Sequence, residues 1–314
     1  MQKNLTVIIP VYNGEAYIER CLESLFNQSY PAMEIIVVDD ASTDNTLSLL
    51  TSFQKKLDLK IIHLEQNHGA GFCRNIGIAE VRTPYLTFVD ADDWVDISTY
   101  ARCLKRADEQ PDIIIYGLIY DFVQYNCQEN KYVYKQDYKM SGEFALSIYA
   151  HTIPNEIRIT PIVNNKVYRT QFLREQHILF HEELRYQEDD AFTFLALAKA
   201  RAVLVVSGCF YHYCQHPDSL IHTISEDALT SFVLAYRKLR EDLEYINLFQ
   251  KYEAEYYLKL KGSLLGVLKR IIDYELCPKH RIYLVSSLLT KLHEQDDFVK
   301  ILDTLDFSRI RMIL

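Results

Sequence analysis

Three carboxylates fall within four consecutive residues at Asp90-Ala91-Asp92-Asp93, directly after a short apolar run. Carboxylates this close together repel one another unless a cation lies among them. A hard divalent ion such as Mn2+ or Mg2+ takes oxygen ligands and binds such a cluster jointly with substrate phosphates. The alternative is a solvated acidic turn, but Trp94, the only tryptophan of the chain, follows at once and disfavours a plain solvent-facing turn. We therefore predict a divalent-metal site in this cluster.

Two other apolar runs also end in residues suited to ligand binding. Pro10-Val11-Tyr12-Asn13 closes the first run, and Asp39-Asp40 closes a second. Ligands of open α/β sheets bind at the carboxyl ends of the strands. A carboxylate there is able to accept from a base N–H or a ribose hydroxyl. Helix capping explains Asp39 equally well, because a Ser-Thr-Asp run follows. The three strand ends taken together favour a ligand site.

These residues need a parallel sheet to bring them together, and the pattern of the first hundred residues predicts one. Short β-rich runs alternate with segments whose apolar residues recur at helical spacing. This alternation is typical of parallel strands with helices on both faces. Strands are predicted at residues 5–9, 34–38, 60–64 and 85–89, and helices at residues 16–28, 44–57 and 70–80.

From residue 112 the pattern changes to mixed structure and then to helices. Strands are predicted at residues 112–122, 131–138, 203–206 and 210–214, and a helix at residues 142–150. Residues 162–172 and 189–200 continue as mixed structure, with a helix over residues 191–200. After about residue 225, leucine and tyrosine recur at helical spacing in residues 229–248, 253–274 and 281–292. We predict one α/β domain over residues 1–222 and a C-terminal helical region over residues 223–314.

Composition limits the class of protein. Of 314 residues, 49% are hydrophobic and 25% are charged, which is typical of a globular chain. The net charge of -9 argues against a nucleic-acid partner held through its phosphates. The seven cysteines form no C-x-x-C pair and indicate reduced thiols. Without a signal-peptide pattern or a run of about 18 apolar residues, we expect a cytoplasmic protein, either soluble or attached at the inner face of the membrane.

In their order along the chain, these motifs resemble the successive signatures of family 2 glycosyltransferases. The resemblance is carried by residues 7–13, 37–44 and 90–93, and by residues 67–77, which contain Gly69-Ala70-Gly71 and Arg74-Asn75. It continues more loosely through residues 165–169, 187–190 and 211–213. It implies the GT-A fold, a Rossmann-like sheet with a nucleotide-sugar half at about residues 1–110 and an acceptor half at about residues 111–222.

The resemblance also implies an activity of the bacterial surface-glycan type. An inverting glycosyltransferase would move a sugar from a nucleotide-diphosphate sugar, UDP-linked, to a glycan, glycoprotein or lipid-linked acceptor. The nucleotide would bind among Pro10, Val11, Tyr12, Asn13, Asp40, Arg74, Asp90 and Ala91. Asp92 would be the principal protein ligand of Mn2+ or Mg2+, and Asp93 a second ligand or an orienting residue.

The resemblance places the general base in Glu188-Asp189-Asp190. The second residue of the matching acidic motif is the base, which gives Asp189, and the extra acid makes Asp190 a rival. Direct sugar transfer needs a base to take the acceptor proton and a Lewis acid to stabilise the departing diphosphate. Acids also suit the start of a helix, where the dipole favours negative charge. The two interpretations are compatible.

Two histidines and a lysine have alternative interpretations. His216, in a predicted loop, or His212, in a Tyr-rich strand, would complete the metal shell, and we favour His216. A structural histidine is the alternative for either one. Lys166 would offset diphosphate charge, or else it is a surface lysine.

The C-terminal helices and the activity itself also leave alternatives open. Basic residues among the leucines suit a peripheral membrane contact, and the same helices are candidates for homo-oligomer formation. The simpler interpretation is a helical cap on the catalytic domain. A non-catalytic nucleotide-sugar-binding protein is the second function hypothesis. A dehydrogenase is excluded because no G-x-G-x-x-G follows the first strand.

Overall fold

A computed structural model describes residues 3–299 apart from residues 57, 123–126, 152, 154, 216–224, 276 and 294–297. The strands are β1 (Leu5–Val11), β2 (Met33–Asp39), β3 (Leu59–His63), β4 (Tyr85–Phe88), β5 (Trp94–Val95), β6 (Ile113–Phe122), β7 (Cys127–Tyr132), β8 (Tyr138–Met140), β9 (Lys166–Arg169) and β10 (Val203–Gln215). The helices are α1 (Ile18–Phe26), α2 (Thr46–Phe53), α3 (Ala70–Glu80), α4 (Thr99–Leu104), α5 (Gly142–Tyr149), α6 (Thr170–Glu175), α7 (Glu188–Lys199), α8 (Glu226–Tyr245), α9 (Glu253–Tyr274) and α10 (Pro278–His293).

The described strands form one sheet in the order β3-β2-β1-β4-β9-β6-β10-β5, with β7 beside β6 and β8 beside β10. Strands β3, β2, β1 and β4 are parallel, as predicted. Strand β9 runs antiparallel to both β4 and β6, while β6 and β10 are parallel to each other. The predicted ligand-binding strand ends therefore lie in the parallel part of the sheet, which is formed by β3, β2, β1 and β4. The remaining strands extend the sheet beyond β4 with mixed directions.

Helices cover both faces of the sheet, because successive side chains of a strand point to opposite faces. In β1, Val7 and Ile9 pack with helices α1 and α2 on one face. Ile8, between them, packs in a second core with α3, α5 and α7. Side chains of β1 are therefore buried on both faces of the sheet, as expected of a parallel strand that is covered by helices on both sides. The predicted α/β class is confirmed.

Two local expectations from the sequence were wrong, and two short elements were not predicted at all. The strand predicted at residues 131–138 is two elements, since β7 ends at Tyr132 and β8 begins at Tyr138. The strands predicted at residues 203–206 and 210–214 are one strand, β10, whose pairing with β6 shifts register between Val206 and Phe210. Strand β5 and helix α4 were not predicted, because elements of two and six residues carry too little periodicity.

The C-terminal helices pack against the same core as the sheet. Phe232 and Tyr236 of α8 and Tyr256 of α9 are buried in one cluster with Phe194 and Leu197 of α7. This agrees with the interpretation of these helices as a cap. The domain division at residue 222 stays a prediction, because it falls in residues 216–224, outside the described part of the chain. None of the described helices combines the length and the apolar character that crossing a bilayer requires.

Candidate functional site

The predicted strand ends of β1 and β2 lie side by side. Val11 pairs with Asp39 in the parallel register, and the backbone N–H of Asp40 donates to the carbonyl of Val11 at 2.8 Å. The loop after β1 is tied to the loop after β2, because Asn13 Oδ1 accepts from the backbone N–H of Thr43 at 2.8 Å. The Tyr12 side chain, between these contacts, is 52% exposed. The end of β1 therefore presents an exposed aromatic residue next to the end of β2.

Asp40 is held by the start of helix α3. Its Oδ1 accepts from the backbone N–H of His68 and its Oδ2 from that of Gly69, both at 2.8 Å. Gly69 has φ +95°, a left-handed conformation that glycine adopts without steric cost. The carboxylate is only 3% exposed. The capping role considered for Asp39 is not seen, because Asp39 pairs with His63 at 2.6 Å and helix α2 begins after Asn45 without a side-chain cap. The ligand role of this strand end stays a prediction.

Arg74 of α3 is the centre of the site. Its guanidinium is 3% exposed and donates to three carboxylates from two distant parts of the chain. Nη2 donates to Asp90 at 2.9 Å, and Nη1 donates to Glu188 at 2.9 Å and to Asp189 at 3.0 Å. Burial opposes the charge of Arg74, but Asp189, Asp90 and Glu188 outweigh burial and raise its pKa. Arg74 therefore joins the end of β4 to the start of α7.

The acidic turn after β4 divides into two environments. Asp93 is fully buried, with one oxygen accepting from Tyr211 and the other from the backbone N–H of Cys214 at 2.8 Å. Burial raises the pKa of Asp93 well above its usual value, and the charges of Asp92 and Asp90 add to the rise. Asp90 and Asp92 are half-buried. Asp93 therefore matches the orienting role better than the ligand role.

Two further residues of the site, Asn164 and Tyr211, were not among the predicted site residues. Asn164 is fully buried, and its Nδ2 donates to Asp90 Oδ2 at 2.6 Å and to the Tyr211 hydroxyl at 3.0 Å. The same hydroxyl accepts from the backbone N–H of Asp90 at 3.1 Å and donates to Asp93. Tyr211 and Asn164 thereby fix the whole turn. The looser family resemblance at residues 165–169, directly after Asn164, and at residues 211–213 was the signal that could have pointed to them.

The adjacent acids Asp189 and Asp190 contact different surroundings. Asp189, 24% exposed, pairs with Arg74. Burial raises the pKa of Asp189 to about 7, although Arg74 opposes the rise. Asp190 is 7% exposed, and its oxygens accept from Tyr236, Tyr149 and Ser263 and pair with Lys259. Both oxygens of Asp190 are therefore engaged by residues other than Arg74, and this favours Asp189 as the base. The assignment of the base stays a prediction.

The histidine and lysine candidates have structural contacts. His212 is 3% exposed, stacks on Trp94 with ring centroids 3.4 Å apart, and pairs with Asp96 at 3.0 Å. This is the structural role given above as its alternative. His216 lies outside the described residues. Lys166 is fully buried and donates to the carbonyls of Thr160 and Ile162, so the surface interpretation is wrong.

The carboxylates at this edge of the sheet suit a metal ion that is held jointly by the protein and a bound substrate, rather than one surrounded by protein ligands alone. Within the described residues, no group of three or more His, Cys, Asp or Glu side chains is arranged to hold a metal ion. Asp93 is buried and bonded to Tyr211 and Cys214, whereas Asp90 and Asp92 are partly exposed, and the oxygens of Asp90 also accept from Arg74 and Asn164. Mg2+ is bound in many sites by one or two carboxylates together with substrate phosphates. The residues fit an ion of that kind.

Comparison with known proteins gives the family. The model of Glycosyl transferase family 2 matches residues 6–172. The chain is 29% identical over 265 residues to the putative glycosyltransferase EpsH of Bacillus subtilis (strain 168), covering 80% of this chain and 72% of EpsH. It is 33% identical over 211 residues to the poly(ribitol-phosphate) beta-N-acetylglucosaminyltransferase TarS of Staphylococcus aureus (strain Mu50 / ATCC 700699), covering 66% of this chain and 35% of TarS.

Solved structures agree with this assignment. The crystal structure of S. aureus TarS 1-349 in complex with UDP matches with a TM-score of 0.59 and 25% identity, covering 93% of this chain and 72% of that one. Against the full-length TarS sequence, in contrast, the chain spans only about a third of the relative. The family match covers more than half of the 314 residues. The chain belongs to glycosyl transferase family 2 and is a glycosyltransferase with the GT-A fold.

Proposed function

We propose that this chain transfers a sugar, with inversion, from a UDP-linked nucleotide sugar to a hydroxyl of a glycan or glycoconjugate acceptor. The observation that carries the proposal is the position of Arg74. It contacts Asp90, at the end of the parallel strand β4, and also Glu188 and Asp189, at the start of α7. A donor-binding edge and a candidate base are therefore adjacent, as direct transfer requires.

The donor nucleotide would bind at the ends of β1, β2 and β4. Tyr12 offers an exposed ring beside Pro10 against which a base can stack, since every nucleobase has a π-face. Asp40, fixed by two backbone N–H groups, would accept from the base, and Asp90 would lie by the ribose. The choice of UDP rests on TarS, whose 1-349 fragment was crystallised in complex with UDP.

A divalent ion, Mn2+ or Mg2+, would be held by Asp92 and Asp90 together with the donor diphosphate. When bound, such an ion acts as a Lewis acid that stabilises charge on the leaving group. The turn that carries these carboxylates is fixed by Tyr211, which bonds Asp93 and the backbone of Asp90. Arg20 donates to the backbone carbonyl of Asp92 at 2.7 Å and adds positive charge at the same place.

Asp189 would accept the proton of the acceptor hydroxyl. A general base works best when its pKa lies near the working pH, and burial raises the pKa of Asp189 to about 7. Arg74 and the backbone N–H of Val163 stabilise its ionised form and hold its position. Attack from the face of the sugar opposite the diphosphate then inverts the anomeric configuration.

The acceptor is proposed to be a bacterial surface glycan or its lipid-linked precursor. The curated relatives support this choice, because TarS acts on poly(ribitol-phosphate) according to its name. A peripheral membrane contact or a homo-oligomer through α8–α10 would suit such an acceptor, and both belong to the proposal. So does action at the inner face of the membrane.

The test is a donor screen with a metal switch. UDP sugars are incubated with the protein and a glycan acceptor, first with Mn2+ or Mg2+ and then with a chelator, and release of UDP is measured. We expect release with metal and loss with chelator. Asp92→Ala should weaken metal-dependent UDP binding, whereas Asp189→Asn should bind UDP normally and lose most transfer. Release that survives chelation would contradict the metal assignment, and full turnover by Asp189→Asn would contradict the base assignment.

A further inference from the structure

The C-terminal helices contact the first turn of α7 through one buried carboxylate. Asp190 Oδ2 accepts from the Tyr236 hydroxyl of α8 at 2.8 Å and from Ser263 of α9 at 3.1 Å. Its Oδ1 pairs with Nζ of Lys259, also on α9, at 3.0 Å. Tyr149 of α5 donates to the same Oδ1. Helices from both regions of the chain therefore meet at this side chain.

Lys259 supplies the only cation that contacts Asp190 among the described residues. Its side chain is 13% exposed, and its ammonium group lies over the ring of Tyr149, 4.2 Å from the centroid. A buried ion pair is costly to break from one side, because the remaining charge is left without compensation. Networks of this kind hold one geometry as long as every member is satisfied. The Asp190 contacts thus fix how α7 is rotated against α9.

Asp189 and Asp190 are consecutive residues in the first turn of α7, so their side chains leave the helix at a fixed angle to each other. Arg74 and Val163 hold Asp189 on one side, and Lys259 holds Asp190 on the other. A change in the position of Asp190 would turn Asp189 with it. Transfer is sensitive to such a change, since a displacement of 1 Å can cost about a hundredfold in rate.

We propose that Lys259 is a positioning residue for the general base and acts through Asp190. This rests on the proposed function, in which Asp189 is that base. The consequence is that α9 belongs to the catalytic unit, although it lies beyond residues 6–172, which match the family. A role of this kind differs from the membrane or partner contact considered for the C-terminal helices.

The chain offers a matched control in a second lysine at the same interface. Lys251, just before α9, pairs with Glu143 of α5 at 2.7 Å. Both side chains are largely exposed, at 48% and 61%. Exposed pairs contribute little to stability or geometry. Lys251→Met therefore removes a lysine that pairs with α5 near the start of α9, without touching the Asp190 network.

The experiment compares Lys259→Met, Lys259→Arg and Lys251→Met by steady-state kinetics and by UDP binding. Lys259→Met should lower kcat roughly ten- to a hundredfold. Its KM for the donor and its affinity for UDP should stay within about twofold of the unmodified protein. Lys259→Arg should recover most of the lost kcat, and Lys251→Met should match the unmodified protein. A folded Lys259→Met protein with full kcat, or with a loss confined to KM, would overturn the inference.

A double-mutant cycle with Asp189→Asn separates positioning from general damage. If Lys259 acts only through the base, adding Lys259→Met to Asp189→Asn should lower the residual turnover no further. Losses that multiply would overturn the inference. If Lys259→Met does not fold, Tyr236→Phe removes one donor to Asp190 without changing charge. A lower kcat at unchanged donor KM in that variant supports the inference, and a normal kcat overturns it.

The cycle also distinguishes the two proposals. Full turnover by Asp189→Asn overturns the base assignment and the inference together. Loss of turnover in Asp189→Asn, combined with normal kcat in the folded Lys259→Met protein, overturns only the role of Lys259.

Discussion

Glu188→Gln removes one negative charge beside the proposed base and leaves an oxygen to which Arg74 can still donate. Glu188 Oε1 and Asp189 Oδ1 accept from the same nitrogen of Arg74, at 2.9 and 3.0 Å. The two oxygens are therefore no more than about 6 Å apart, the sum of these distances. The charge of Glu188 raises the pKa of Asp189, after burial and against Arg74. Its removal lowers that pKa.

The size of the shift follows from this separation. Two unit charges about 6 Å apart interact by ~3 kcal/mol at an effective dielectric constant of about 20, which corresponds to roughly 2 pKa units. Arg74 lies between the two carboxylates and reduces the effect. We therefore expect the pKa of Asp189 to fall by about 1 unit from its value of about 7. The ionised fraction at pH 6 would rise about fivefold.

The assay is the pH profile of kcat/KM between about pH 5 and 9, because kcat/KM reports the groups of the free enzyme. Activity should fall as pH falls through the pKa of Asp189, since only the ionised carboxylate accepts a proton. Glu188→Gln should retain activity to a lower pH. Glu183→Gln is the control, because Glu183 is an exposed carboxylate paired with Lys238. An acid limb that stays in place or moves to higher pH in Glu188→Gln would refute the reasoning.

Two further predictions concern stability. Because the pKa of Asp189 is raised to about 7 in the folded state, the unfolded state ionises first, and stability is lost progressively as pH rises from about 4 to about 7. Asp189→Asn should therefore raise the free energy of unfolding by about 4 kcal/mol at pH 8 and by nothing below about pH 4, as measured by urea unfolding. A lower stability at pH 8 would contradict this. Gly77→Ala places a Cβ 2.4 Å from Ile8 Cγ2 and should cost about 1–3 kcal/mol, whereas Gly262→Ala, with no atom within 4 Å, should stabilise α9 by about 0.5–1 kcal/mol. Equal effects of the two substitutions would show that the packing of α3 on β1 is not the cause.

Sequence periodicity predicted the parallel edge of the sheet well because the elements there alternate along the chain. Polar residues lie at the end of β2 and within two residues after the ends of β1 and β4, and adjacent parallel strands bring those ends together without further information. The acids of the site were therefore recognisable from the order of amino acids alone. The family match over residues 6–172 covers the same segment, in which these motifs follow one another along the chain.

The partners of these acids were harder to predict, because they come from segments whose place depends on the order of strands. Asn164 lies 74 residues from Asp90, and Tyr211 lies 121 residues from it. Strand β9 inserts between β4 and β6, so the loop before β9 reaches the turn after β4. No local pattern encodes that insertion. The same holds for Lys259, whose contact with Asp190 joins helices far apart in sequence.

The balance of charge around Arg74 connects the tests of metal and base. One buried guanidinium faces Asp90, Glu188 and Asp189, so the site carries excess negative charge whenever all three are ionised. Burial reduces part of this excess, because it raises the pKa of Asp189 and so favours the neutral, protonated carboxyl group. A diphosphate donor would add more negative charge at the same strand ends, and a divalent cation is the simplest compensation. If transfer proceeds in the presence of chelator, the compensation must come from the chain, and Arg20, which contacts the Asp92 carbonyl, is then the residue whose replacement should abolish donor binding.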